Sequence, residues 1–335
     1  MGISEVKPYV EERLLPKLKC GANSYKLSEV VENTHINFVY RLEIITSDNK
    51  TRVIYLKHAK DFVKKWPEMK YSLERQKYEA KAVELFHKIL GDKVPMVVDF
   101  DEERHILALT DIGHGKILSD LFRENIFYPE AWSDLGRSLG RLHRLTFNKD
   151  SWIRPPEANK AHNEYILPFR YKGALELAPE PSKKHLEEAG SEHTCILWAD
   201  PLRKNIFQTG KETFFLDFEN VVRFEPAYDI GYALAELAVD SLNAEGNMEK
   251  ARQCTAEFIK GYSSEFRPAE KIEHILHRSV KHLAAIMLHR TCGELGKSNR
   301  LDLREDIRQR LMAAAVKILN SNYKNPLEVF EVINN

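Results

Sequence analysis

Cysteine is scarce in this sequence: four thiols in 335 residues, at Cys20, Cys195, Cys254 and Cys292, with no C-x-x-C and no paired spacing. That scatter argues against a disulfide framework or a thiolate zinc site and reads as reduced thiols in a cytosolic protein. An excess of charge of either sign is missing too. Fifty basic residues balance fifty acidic ones, so no net field marks a nucleic-acid or membrane partner. No run approaches the roughly 18 apolar residues of a membrane span, and the N-terminus has no apolar signal region. Internal repeats and low-complexity tracts are likewise absent. These absences predict a soluble cytoplasmic protein, long enough for one large domain or two lobes.

What is present changes character along the chain. Val6, Tyr9, Val10, Leu14, Leu15 and Leu18 recur at helical spacing, which predicts a leading helix over 5–19. Residues 25–31, 36–45 and 52–57 are β-rich and partly alternating, with a turn at Ser47-Asp48-Asn49-Lys50. A helix over 72–90 follows, with Tyr78, Ala82, Leu85, Phe86 and Ile89 on one face. A hairpin over 94–110 turns at 101–104. Beyond residue 112 the sequence is mostly helical: 118–125, 131–145, 161–176, 182–190, 228–240, 246–264, 268–295 and 302–320, with a Pro- and Trp-containing loop at 148–160. The expected fold class is α+β, with a β-rich lobe over 1–112 and a helical lobe over 113–335.

Chemistry concentrates in Trp198-Ala199-Asp200-Pro201-Leu202-Arg203-Lys204-Asn205 and in Leu216-Asp217-Phe218-Glu219. A short apolar strand, 194–198, delivers Asp200 into a loop; Asn205 follows, and a second strand ends at Asp217. Phosphoryl transfer needs such a set: a carboxylate to orient a hydroxyl and accept its proton, and oxygen ligands for Mg²⁺. Taken alone, the same residues also suit the turns of two hairpins. Upstream, Lys57 lies on a strand of Val53, Ile54, Tyr55 and Leu56, with Glu79 on the polar edge of the next helix. A strand lysine held by a helix glutamate fixes an ammonium on nucleotide phosphates. Thirteen histidines, His58, His87, His143, His193 and His289 among them, show no metal spacing. Lys64-Lys65 and Lys183-Lys184 read as solvated pairs, and Glu187, Glu188 and Glu192 as a solvated acidic stretch. Asp229 is expected to cap its helix while holding the catalytic loop.

In order, these pieces resemble the aminoglycoside phosphotransferase and choline kinase family, small-molecule kinases of protein-kinase-like fold. The matching pieces are Tyr55-Leu56-Lys57-His58-Ala59, Arg75-Gln76-Lys77-Tyr78-Glu79-Ala80, Leu109-Thr110-Asp111-Ile112, Leu139-Gly140-Arg141-Leu142-His143, Trp198–Phe207, Leu216–Glu219 and Pro226-Ala227-Tyr228-Asp229-Ile230-Gly231. The first lobe is most similar to methylthioribose kinases, through Asn37-Phe38-Val39-Tyr40-Arg41, Trp66-Pro67 and the segment from Ser72 to Ala80; the catalytic segment differs, with Phe218 where those enzymes have proline. The resemblance implies Asp200 as base, Asn205 and Asp217 as Mg²⁺ ligands, and Lys57, with Glu79 as its partner, on the phosphates of ATP. Trp198-Ala199 stands where the family has His-Gly, with Trp198 expected to substitute by packing. The loop over 32–37 contains no glycine, so fewer free amides face a phosphate and Thr34 or Asn37 side chains take a larger share. Two readings follow: an ATP- and Mg²⁺-dependent kinase of a small polar metabolite (a methylthioribose-like sugar, an aminoglycoside or an amino alcohol), or a catalytically inactive nucleotide-binding pseudokinase or scaffold.

Overall fold

The structure, a computed structural model, describes residues 2–19, 25–32, 34–45, 50–113, 115–189, 194–243, 247–291 and 303–334. The chain forms two compact units, Met1–Gly113 and His114–Asn335. The turn expected at 47–50 falls largely outside the described residues, as do Cys20, Cys292, Glu192 and His193. Cys195 and Cys254 are buried free thiols. Among the described residues no helix is long and apolar enough to cross a membrane.

The first unit is built on a five-stranded antiparallel sheet in the order β1-β2-β3-β7-β6, comprising Tyr25–Val30, Phe38–Ile45, Thr51–His58, Ile106–Thr110 and Val97–Asp101 respectively. Side chains alternate across a strand. Tyr40, Leu42, Ile44, Ile54 and Leu56 therefore share one buried face. The leading helix packs there through Val6, Tyr9, Val10, Leu14 and Leu15. It runs as α1 (Ile3–Tyr9), a π turn (Val10–Leu14) and α2 (Leu15–Lys17). Each fully buried aliphatic side chain contributes about 1.5–3 kcal/mol to that layer. Asp99 on β6 secures it, accepting bonds from Tyr9 Oη (2.9 Å), Arg13 Nε (2.8 Å) and Lys17 Nζ (2.7 Å). Burial alone would raise the Asp99 pKa, but these donors outweigh it and hold the carboxyl below its usual range. The same alternation leaves Lys57 on the opposite face from Leu56. A short hairpin, β4 (Phe62–Val63) and β5 (Trp66–Lys70), gave no sequence signal because β4 has two residues and β5 carries a proline. The helix α3 spans Arg75–Leu90.

The second unit is mainly helical: α4 (Leu118–Arg123), α5 (Pro129–Thr146), α6 (Pro156–Leu177), α7 (Glu180–Ala189), α8 (Ala227–Asn243), α9 (Met248–Glu265), α10 (Ile272–Thr291), α11 (Glu305–Leu319) and α12 (Pro326–Asn334). Two small sheets carry the functional loops: β9 (Cys195–Leu197) with β12 (Val222–Phe224), and β11 (Thr213–Phe215) with β10 (Ile206–Gln208) and β8 (Lys116–Ile117). Two expectations are corrected here. The loop read over 148–160 ends earlier, because Pro156 starts α6 at a position where a missing N–H costs nothing. A further helix, α12, follows the last one expected. The crossing of α5 and α9 is tight enough to require glycine. A Cβ on Gly261 would lie 2.0 Å from Ser133 O, and one on Gly136 would lie 2.1 Å from Phe258 O. That contact brings His143 on α5 within 3.1 Å of the Tyr262 hydroxyl on α9 and within 3.3 Å of Asp229 on α8.

Candidate active site

In the first unit the strand lysine and helix glutamate meet. Lys57 Nζ lies 2.5 Å from Glu79 Oε1. Glu79 is 1% exposed, so it does not sit on the polar edge of α3 that the sequence suggested. The neighbouring residues of the same motif fix this pair. Gln76 Nε2 donates to the Lys57 carbonyl at 2.6 Å. Arg75 is buried and donates to Tyr71 O, Ser72 O, Lys60 O and Asn37 Oδ1. The Asn37 carboxamide oxygen is thus engaged by Arg75 at 2.9 and 3.2 Å. The Thr34 hydroxyl turns back on its own loop, donating to Val30 O and Val31 O. Lys64 is not a solvated residue. Its ammonium reaches Glu29 at 2.9 Å and Thr34 Oγ1 at 3.2 Å, and its amide bonds Ile36 O. The glycine-free loop is therefore held by the β4–β5 turn. A separate cavity of about 440 Å³ in this unit, lined by Glu5, His58, Lys60, Asp61, Arg104 and His105, does not include Thr34, Asn37, Lys57 or Glu79.

In the second unit β9 delivers the catalytic loop. Ala199 and Asp217 both adopt left-handed backbone, with φ of 62° and 63°, which costs a non-glycine residue about 1–2 kcal/mol. Surrounding bonds hold both. The Asp229 carboxylate accepts from the amides of Trp198 (2.9 Å) and Ala199 (2.8 Å). Its oxygens thus go to the loop rather than to the first turn of α8, which corrects the capping expectation while keeping the loop-holding one. The Trp198 indole N–H donates to Leu216 O (3.2 Å) and Asp217 O (3.1 Å). Trp198 does more than pack: it ties the loop before Asp200 to the backbone of Asp217.

The Asp200 carboxylate is buried and engaged on both oxygens. Oδ1 accepts from Arg170 Nη2 (3.0 Å) and the Tyr232 hydroxyl (3.3 Å). Oδ2 accepts from Asn205 Nδ2 (3.1 Å). Asn205 uses its nitrogen here, leaving its carboxamide oxygen, the atom a cation needs, outside that bond. The Leu216 amide bonds the Asn205 carbonyl at 2.9 Å, so Asp217 is linked through the backbone to the Asp200–Asn205 pair. Asp217 is partly exposed. A carboxylate and a carboxamide oxygen are hard oxygen donors of the kind Mg²⁺ takes.

Arg170, Tyr232 and the charges behind them were missed by sequence reasoning. Arg170 lies on α6, where no apolar stripe singles it out. Its guanidinium also bonds Ala199 O and the Tyr228 hydroxyl. Burial opposes its charge, yet Tyr228, Tyr232 and Asp200 together raise its pKa. Arg203, inside the loop, pairs with Asp240 and approaches Glu236, and Arg290 Nε meets Glu236 Oε1 at 2.7 Å. Burial raises the pKa of Glu236 and Asp240, and the arginines pull the other way.

The structure also brings together His185, Glu225 and His282, whose ligand atoms lie within 4.8 Å of one another. Glu225 already accepts from Arg278 Nη2 at 3.0 Å and sits 2.7 Å from His282 Nε2. Burial works against its charge, but His282 and Arg278 bring its pKa down to about 2. The Tyr171 hydroxyl stands 2.5 Å from His282 Nδ1. With its carboxylate already neutralised, this cluster reads as a joint between α6, α7, α10 and the turn leading into α8. Glu187 and Glu188 are exposed, as the sequence suggested.

A profile of the phosphotransferase enzyme family matches residues 41–270. The methylthioribose kinase of Bacillus mycoides is 23% identical over 245 residues, 63% of this chain and 60% of that protein; the chain thus spans about three-fifths of the length of the curated relatives it matches. Two solved structures are similar across nearly the whole chain. The choline kinase of Cryptosporidium parvum superposes with a TM-score of 0.57 at 11% identity, covering 95% of each chain. The ethanolamine kinase of Plasmodium vivax gives a TM-score of 0.55 at 15% identity, covering 98% of this chain and 86% of that one. At such identities the likeness concerns the fold, which is protein-kinase-like: an antiparallel-sheet unit followed by a mainly helical one.

Proposed function

The chain belongs to the phosphotransferase enzyme family, and from that membership and its two residue sets we propose that it is a cytoplasmic ATP- and Mg²⁺-dependent small-molecule kinase. The first unit would hold the nucleotide, with Lys57 on its phosphates, Glu79 keeping that ammonium in place and the loop carrying Thr34 and Asn37 framing it. The second unit would supply the metal ligands Asn205 and Asp217, the base Asp200 and the acceptor contacts. Mg²⁺, when bound, neutralises charge on the transferring phosphoryl group. Asp200 orients the acceptor hydroxyl and takes its proton as that oxygen bonds the γ-phosphorus and the bridging oxygen leaves with ADP. The observation that carries this reading is the Asp200 carboxylate, buried and fixed on both oxygens while Asn205 keeps its own oxygen out of the pair. Among acceptors, a methylthioribose-like sugar leads, supported by the methylthioribose kinases among the relatives, ahead of an aminoglycoside or an amino alcohol.

The rival reading is a nucleotide-binding scaffold without catalysis. Trp198 and the glycine-free loop motivated it. The formed Lys57–Glu79 pair and the bonds from Trp198 to the Asp217 backbone support the enzyme instead. Screening a metabolite and antibiotic panel for acceptor-dependent ADP release tests the choice. Release is expected with at least one alcohol. A protein that binds ATP with Mg²⁺ but turns over no acceptor is the scaffold.

A further inference from the structure

Glu219, Asn220 and Val221, just beyond Asp217, are buried, so their backbone groups need partners inside the protein. Arg154, two residues before α6, supplies two of them. Its Nε donates to Val221 O at 2.7 Å and its Nη2 to Glu219 O at 2.5 Å. Arg223 follows on β12, which pairs with β9 along one edge. Toward α6, Asn159 in the first turn of the helix accepts from the Arg223 amide at 2.7 Å and donates to its carbonyl at 3.1 Å. One carboxamide thus gives β12 the donor and the acceptor that a further strand would give. Eleven residues on, close to three helical turns and about 16 Å, Arg170 projects from the same face of α6, which is continuous past Pro168. It donates to Ala199 O at 2.5 Å and to Asp200 Oδ1 at 3.0 Å. Arg154, Asn159 and Arg170 are all buried.

We propose that α6, with Arg154, is the spacer of the reaction centre. Arg154 and Asn159 position the segment that carries the metal ligand Asp217, and Arg170 positions the base Asp200, so one element fixes the two relative to each other. The inference rests on the kinase reading above and adds positioning residues to it. They act through Asp200 and through the backbone around Asp217, not on the reacting atoms. Asp217 needs such support, because a non-glycine residue keeps a left-handed φ of 63° only where its surroundings impose it. On its N-terminal side the indole of Trp198 and the Asn205 carbonyl hold the backbone. On its C-terminal side Arg154 and Asn159 do so. Misplacing a reacting group by about 1 Å can cost 10²-fold in rate, which is why a common spacer for base and metal ligand matters.

The experiment uses the full chain and two readouts. The first is ADP release from ATP, titrated with Mg²⁺, with methylthioribose or whichever alcohol of the panel above is turned over. The second needs no acceptor: calorimetric titration of Mn²⁺ in the presence of a non-hydrolysable ATP analogue. Arg154→Met and Asn159→Leu should raise both the Mg²⁺ needed for half-maximal rate and the Mn²⁺ dissociation constant by roughly 10–100-fold, as loss of a group that orients a metal ligand does. The acceptor KM should stay nearly unchanged, and kcat should largely return at saturating Mg²⁺. Arg170→Met should do the reverse, lowering kcat by about 10²-fold with the metal requirement nearly unchanged. Arg154→Lys, whose ammonium can still reach one of the two carbonyls, should recover part of the metal effect. A residue that merely supports the fold has no reason to divide its effects in this way. Thermal melting establishes that each variant is folded, and Asn159→Asp, which keeps the bond from the Arg223 amide, stands in where Asn159→Leu is not. Folded Arg154 and Asn159 variants with a wild-type metal requirement overturn the inference, as does an Arg170→Met altered only in its metal requirement. Failure of every Arg154 and Asn159 variant to fold also counts against it, since their role is then stability. A wild-type protein that binds no nucleotide with Mn²⁺, or turns over no alcohol of the panel, sinks the kinase reading instead.

Discussion

The Lys57–Glu79 pair and the Asp200 carboxylate are fixed by different means. Lys57 stands one residue before the end of β3 in regular backbone, its register set by pairing with Val39 on β2 and Leu107 on β7. One buried carboxylate receives its ammonium, and Gln76 clips its carbonyl. Asp200 stands on a loop whose preceding residue is left-handed. Its carboxylate is held by side chains from α6 and α8 and from its own loop, and its approach by Asp229. The lysine is thus positioned by secondary structure and the Glu79 carboxylate, the aspartate by tertiary contacts from several elements. Damage to the first should be local and carried by the pair. Damage to the second should separate according to which atom of the network is touched.

The sharpest break is Asp200→Asn, which keeps the size but cannot accept a proton at neutral pH. Turnover with the true acceptor should fall by about 10²–10⁴, the range for general base catalysis. Affinity for ATP with Mg²⁺ should change by less than roughly tenfold in calorimetry. Normal turnover by this variant would remove Asp200 from the mechanism. Asp217→Asn comes next. Losing the carboxylate should lower kcat by about 10²–10³, the cost of removing one element of a preorganised electrostatic site. A Mg²⁺ titration checks it: the variant should require more metal, and wild-type turnover at saturating metal would reassign the ligand.

On the lysine side the expected effects are smaller and non-additive. Lys57→Ala should raise the KM for ATP, and Glu79→Ala should do so more mildly by releasing Lys57. The double variant should be little worse than Lys57→Ala, because contacting residues couple. Lys57→Ala also removes the cation beside a buried carboxylate, and breaking such a pair from one side costs more than removing both. Denaturant melts should therefore show the double variant at least as stable as Lys57→Ala. Additive losses in both readouts would mean that the two residues act independently.

The same contrast explains what was legible in the sequence. Lys57 and Glu79 were readable because strand alternation and helical periodicity are local signals, and only the burial of Glu79 escaped. Asp200, Asn205 and Asp217 were readable as a spacing. What holds them was not: Arg170 and Tyr232 reach Asp200 from 30 and 32 residues away, and no periodicity encodes that approach. Gly140 and His143 appeared in a recognisable helix segment, but their use, close passage of α9 and a contact to Asp229, needs the packed unit. Pro156 shows the opposite error, where a local proline signal for loop lost to the helix that starts there, while the short hairpin at 62–70 gave no signal at all.

Trp198 gives the smallest effect and the finest test of the comparison. If the aspartate site is held by tertiary bonds, removing two of them without disturbing packing should be felt in the chemistry and not in nucleotide binding. Trp198→Phe keeps an aromatic ring against Phe215 and Phe218, whose centroids lie 5.2 and 6.0 Å away. It deletes the N–H that bonds the Leu216 and Asp217 carbonyls. A hydrogen bond of this kind is worth about 0.5–1.5 kcal/mol net. A loss of roughly tenfold or less in kcat is therefore expected, with the ATP dissociation constant nearly unchanged and the Mg²⁺ requirement raised because Asp217 is less well fixed. Trp198→His, which can restore one donor, should recover part of the loss. Were Trp198→Phe indistinguishable from the parent in both kcat and metal requirement, the indole would be packing alone, and the backbone of Asp217 would be held by the β10–β11 hairpin without it.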